Sequence, residues 1–134
     1  MQRFPDWEIR LGEYIAKARG IEWGDFGCGY FVAGAIEAMT GENPLDIEFD
    51  DETSLKDALA ASGDKTLYIY LSRKFGRHIP PAQAQRGDIV QLRREAVPTM
   101  GVMLSRNKVV FLAQQGLAAI SVLECERAWR IARG

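Results

Sequence analysis

The stretch Ile21–Gly41, IEWGDFGCGYFVAGAIEAMTG, decides how the rest of the chain is read. Cys28 follows a glycine-studded segment and opens an apolar run. Cys28, Phe31, Val32, Ala35, Ile36 and Met39 recur at i, i+3, i+4, i+7, i+8 and i+11, which is one face of a three-turn helix. Gly41 suits the left-handed residue that ends such a helix. A cysteine in the first helical turn has two readings. Unpaired backbone N–H groups and the helix dipole favour its thiolate. Gly27 and Gly29 would admit close approach of a substrate, and the same N–H groups can form an oxyanion hole. In the plainer reading Cys28 is only the first core residue of the apolar face, a common place for cysteine. A working nucleophile also needs a base within hydrogen-bond reach, usually an imidazole.

Working outward, PDWEIRLGEYIAKARG places Trp7, Leu11, Tyr14, Ile15 and Ala18 on one helical face. Asp6 is expected to cap its start and Gly20 to end it. GENPLDIEFDDETS is a loop by composition. SLKDALAASG and KTLYIYLSRKFG are read as two short helices closed by glycine, although Tyr68, Ile69 and Tyr70 also favour strand. Beyond His78 the pattern changes. GDIVQLRR, TMGVMLS, KVVFLAQ and LAAISVL are short β-like runs, the last three separated at hairpin distance. ECERAWRIARG is read as a short closing helix. Helices followed by antiparallel strands make an α+β protein, and 134 residues without repeat or linker make residues 1–134 one domain.

Composition removes several functions. Seventeen basic and eighteen acidic residues offer no broad cationic surface for nucleic acid and no polybasic membrane anchor. No apolar run reaches the roughly 18–20 residues of a membrane span, so no membrane insertion is expected. MQRFPDWEIR lacks the apolar core of a signal peptide. Cys28 and Cys125 are too few and too distant for a disulfide framework. One histidine, His78, leaves little for a zinc site, and DIEFDDE lacks the calcium-loop spacing. No metal or cofactor is therefore expected. Cys125 stands between glutamates, which raise a thiol pKa, so a structural role is expected. His78 lies in the turn-rich FGRHIPPAQAQRGD, where it reads as a solvated loop residue unless the fold carries it to Cys28. Trp7, Tyr14, Trp23, Tyr30 and Phe31 read mainly as helix–helix packing.

The order of motifs resembles the NlpC/P60 cell-wall peptidases, which are papain-like cysteine hydrolases. WGDFGC is similar to that family's entry to its catalytic helix. RGDIVQL is similar to its Gly-Asp-Leu-Val-Phe-Phe strand, and TMGVMLSRNKVVFLA to its His-Val-Gly-Ile-Tyr hairpin. ISVLE and RAWRIARG resemble the tail that closes its sheet. The resemblance implies N-terminal helices packed on a C-terminal antiparallel sheet. The whole chain also resembles a small family of phage and prophage proteins of unknown function, with PDWE-like starts, WG…C…F, RRGDVV and a RAWR end. Such proteins tend to be encoded among tail genes.

Carried over residue by residue, the resemblance puts Cys28 at the nucleophile. Anchored on Gly101, it puts Thr99 where the peptidases have their histidine and Phe111 where they have a third polar residue. Gly27 replaces the aspartate before the cysteine. Threonine is no general base near neutral pH, and phenylalanine cannot orient one. Amide hydrolysis would also lack a proton donor for the leaving amine. The resemblance therefore implies a non-catalytic structural or assembly component of a phage tail, at its tip or baseplate. It would be assembled in the host cytoplasm and carried in the virion, with other tail proteins and peptidoglycan as candidate partners. The competing expectations are an active cysteine peptidase or amidase cutting peptidoglycan stem peptides during phage entry, and a pocket that binds such ligands without cutting.

Overall fold

Leu11, Ile15 and Ala18 are buried along one side of the first helix, α1 (Trp7–Ala18), as their spacing requires. The structure is a computed structural model and describes residues 1–20, 27–45, 57–61, 63–64, 66–93, 99–105, 107–113 and 116–132. Asp6 occupies the N-cap of α1 but makes no capping bond. Its carboxylate instead accepts from Arg10 Nε at 2.7 Å, which corrects the expected cap. Arg10 is one helical turn ahead, and a charge-assisted bond outcompetes a neutral backbone donor.

α2 (Gly27–Thr40) buries Phe31, Val32, Ala35, Ile36 and Met39. It ends at Gly41, whose φ of 81° is the left-handed stop. Tyr14 lies across α2 and donates to the Phe31 carbonyl at 2.7 Å. Gly34 makes that crossing possible, since a Cβ there would stand 2.7 Å from Tyr14 Cζ. Residues 57–61 are helical. α3 (Leu67–Phe75) settles the helix-or-strand ambiguity of LYIY in favour of helix. Thr66 caps it by accepting from the Ile69 N–H at 3.2 Å, and Gly76 closes it.

The sheet comprises β1 (Ile89–Leu92), β2 (Met100–Met103), β3 (Lys108–Ala113), β4 (Gly116–Ser121) and β5 (Cys125–Trp129). Its order is β4-β3-β2-β1-β5, and the pairings are antiparallel. The expected closing helix is therefore a strand. Ala128, Trp129 and Ile131 are all buried, a spacing that imitates a helical stripe. Pairing with β1 decides otherwise, with Ile89 opposite Trp129 and Gln91 opposite Arg127. An irregularity between Gln91 and Leu92 moves the register so that Leu92 meets Cys125, leaving Glu126 as the extra residue of a bulge. Outside β5, Ile79 exchanges both backbone bonds with Ala128, at 2.8 and 3.0 Å.

Alternation along the strands divides the core in two. Ile89, Met100, Val102, Val110 and Trp129 face the helices and pack with Leu11, Phe31, Ile36 and Met39. Val90, Leu92, Met103, Val109, Phe111 and Ala128 face the other way and pack with Ile79, Val122 and Cys125. The turns Pro81–Gln83 and Val122–Glu124 lie against each other, and the first also packs on β5.

One buried carboxylate ties the chain together. Asp88 is fully buried. Its Oδ1 accepts from the Ile131 N–H at 3.1 Å and its Oδ2 from the Gln85 N–H at 2.9 Å. Arg3 Nη2 stands 3.5 Å from the same Oδ1, while Arg3 Nε donates to the Ile131 carbonyl at 2.8 Å. The Arg3 guanidinium lies over Trp7, 4.2 Å from the ring centre. Gly87 has φ 90°, and a Cβ there would meet Met39 Sδ at 2.9 Å. The Gly-Asp pair of the sequence is thus a turn plus a clamp that joins both ends of the chain to β1.

Candidate functional site

α2 begins at Gly27, so Cys28 belongs to its first turn, where backbone N–H groups have no helical partner. The helix packs on β2 and β3. The Cys28 side chain, Trp23 and the rest of residues 21–26 lie outside the described residues, as does DIEFDDE.

Thr99 leads directly into β2. It is half-buried, and its carbonyl accepts from the Leu92 N–H at 2.9 Å. Phe111 sits on β3 opposite Gly101. The two strands approach closely there. A Cβ on Gly101 would stand 2.8 Å from the Val110 carbonyl oxygen and 2.6 Å from Val109 Cγ1. Phe111 is buried among Val90, Leu92, Met103 and Val109, on the sheet face turned away from α1, α2 and α3. The motif thus sets Thr99 at the entry to β2 and Phe111 on the adjoining β3, with Phe111 in apolar packing.

His78, the chain's single histidine, is exposed and lies beside β5. Its Nδ1 is 3.0 Å from the Tyr68 hydroxyl and its ring meets Tyr68 edge-on at 5.3 Å. β5 is two strands away from β2, about 10 Å at the usual strand spacing. Cys125 is buried in the far-side cluster. Burial pushes its thiol up to about 11, with Glu124 adding to the shift and Arg93 opposing it. A thiol so shifted is a poor nucleophile at neutral pH.

Sequence reasoning missed a second group of polar side chains on the helix-facing side. Gln91 and Arg127 are opposed in the β1–β5 pairing, so both side chains emerge on that face. The Arg127 guanidinium covers the Tyr68 ring at 4.2 Å, and Tyr68 stands 6.2 Å from Trp129. The Trp129 indole donates to Ser72 Oγ at 3.2 Å. Gln91 is also opposite Met100, next to Thr99, so this group lies at the Thr99 end of the sheet. The available signal was an amide in the middle of the otherwise apolar IVQL.

Among the described residues, helices packed on a five-stranded antiparallel sheet define an α+β fold of the NlpC/P60 kind. The crystal structure of the NlpC/p60 domain of the peptidoglycan hydrolase SagA superposes with a TM-score of 0.59, over 92% of this chain and 97% of that one, at 14% identity. At that identity the likeness establishes fold alone. The chain belongs to the DUF6950 family, a domain of unknown function, whose model matches residues 2–131. No curated protein gives a significant match. No helix among the described residues is long and apolar enough to cross a membrane.

Proposed function

We propose that this chain is a non-catalytic NlpC/P60-like module that works by docking, as a structural or assembly component of a phage tail at its tip or baseplate. One observation carries the non-catalytic part. The chain's single imidazole is engaged with Tyr68 beside β5, while the resemblance to NlpC/P60 peptidases puts Thr99 where those enzymes have their base. A hydroxyl there can hydrogen-bond but cannot take a proton from a thiol and return it to a leaving amine. Phe111, packed into the far-side core, gives no hydrogen bond to orient a base. The tail assignment rests on the resemblance of the whole chain to phage and prophage proteins. The partners in this reading are other tail proteins, and the localisation is the virion.

The placement of Cys28 in the first turn of α2 favours the second reading, an active peptidase or amidase on peptidoglycan stem peptides. Two measurements separate the readings. Purified protein incubated with muropeptides is expected to release no product. The alkylation rate of Cys28, read in a Cys125→Ala background, is expected to follow a pKa near the free value of about 8.5. Turnover abolished by Cys28→Ala would establish the enzyme instead. Pull-down of tagged protein from phage-infected cells is expected to recover tail components, and recovery of a free monomer would remove the assembly role.

A further inference from the structure

Gln91 Oε1 is a buried side-chain acceptor without a hydrogen-bond partner among the described residues. Such atoms are rare, because an unmade bond leaves the full desolvation cost in place. The atom belongs to a strand residue whose two neighbours across the sheet are Met100 and Arg127. Arg127 offers a planar donor fork. One edge of that fork holds Glu126 Oε1 at 2.8 Å, a pair whose side chains are 23% and 41% exposed. Exposed pairs of this kind contribute little and are readily exchanged for another carboxylate. The guanidinium carbon stands over the Tyr68 ring, 4.2 Å from its centre, which holds the group at this place on the sheet. The bulge at Glu126 sets the register that brings Arg127, rather than its neighbour, opposite Gln91.

We propose that Gln91, Arg127 and Tyr68 form a binding site for an acylated amino acid with a free α-carboxylate, the chemistry of a peptide carboxy terminus. The ligand's amide N–H donates to Gln91 Oε1 and its carboxylate takes the Arg127 fork. In such a ligand the two groups are one carbon apart, which suits side chains from directly opposed residues of neighbouring strands. The Tyr68 ring flanks the ligand's own side chain. The site deepens the docking reading given above, but its binding chemistry does not depend on whether Cys28 cuts anything.

The test uses the full chain and the probes acetyl-L-alanine, acetyl-D-alanine and acetyl-L-alanine amide. Their binding is followed by NMR at the Gln91 side-chain amide and the Arg127 Nε–H. At least one free acid is expected to give saturable shifts at both groups, with millimolar affinity. The amide-blocked probe is expected to give none. Preference for the L-acid identifies the source as the end of a protein chain, and preference for the D-acid identifies a wall-type peptide terminus. Arg127→Gln and Gln91→Glu, each with wild-type spectral dispersion, are expected to weaken binding at least tenfold. The first removes the fork, and the second sets one carboxylate against another. No saturation by either acid, or affinity unchanged in both variants, would overturn the site. Release of alanine from a probe would remove the non-catalytic reading while leaving the site intact.

Discussion

Arg3 and Asp88, 85 positions apart, meet at 3.5 Å where the start of the chain, the entry to β1 and the segment after β5 converge. Asp88→Ala strips the acceptors from the Ile131 and Gln85 N–H groups and removes the carboxylate beside Arg3. Loss of one member of a buried pair costs about 3–5 kcal/mol. Urea unfolding of Asp88→Ala is expected to show a loss of that size. Arg3→Met should also be costly, because it removes the cation beside the fully buried carboxylate and the bond to the Ile131 carbonyl. The double variant is expected to lose less than the sum of the two, since the residues act on one site.

The two helix starts give opposite expectations. Thr66 makes its capping bond, so Thr66→Ala should cost about 1 kcal/mol. Asp6 occupies the same kind of position but its carboxylate bonds to Arg10 on the surface instead of capping, so Asp6→Ala should cost clearly less than Thr66→Ala. Equal losses in the two variants would show that Asp6 caps α1 in solution.

Alkaline pH should weaken the fold. Burial raises Cys125 from 9.0 to about 11, with Glu124 assisting. Burial, helped by Glu37, raises Tyr14 from 10.0 to about 12. For both groups the folded chain holds the proton more tightly than the unfolded one. Stability is therefore whole below about pH 9 and falls as pH rises towards 11–12. Cys125→Ala and Tyr14→Phe should each flatten that fall in urea titrations across pH 8–11. A slope unchanged in both variants would contradict these shifts.

Gly101→Ala should be costly in a way that no neighbouring truncation can rescue. One close neighbour of the added methyl is the Val110 carbonyl oxygen, at 2.8 Å, which is backbone and cannot rotate away. An overpacking loss of about 1–3 kcal/mol is expected. Val109→Ala in the same chain should recover only the part due to the side-chain contact.

Gln91→Leu should stabilise the unliganded protein by about 1–3 kcal/mol, since it removes a buried acceptor that no described residue satisfies. Thermal unfolding read without added ligand checks this. A destabilised variant would mean that the amide already has a partner in solution.

Much of this architecture was legible from local pattern. The buried face of α2 follows from residue spacing, and the four β-like runs after His78 became β1 to β4. What escaped depended on pairing between distant segments. The end of the chain reads as helical because Ala128, Trp129 and Ile131 mimic a stripe. In the fold, Ala128 and Trp129 serve opposite faces of one strand. Asp88 stood out only as part of a motif, because its partners Arg3 and Ile131 lie 85 and 43 positions away. At the candidate site, motif spacing could place Thr99 and Phe111 on adjoining strands. It could not say that Phe111 points away from the helices, since facing depends on strand register. The pairing of Gln91 with Arg127 was hidden for the same reason.

The Arg3 side chain grips the Ile131 carbonyl at 2.8 Å. Residues 3 and 131 are therefore held side by side, and a pull applied between them loads that grip together with the Asp88 contacts. In a large assembly, tension applied across residues 3 and 131 would be met by this knot.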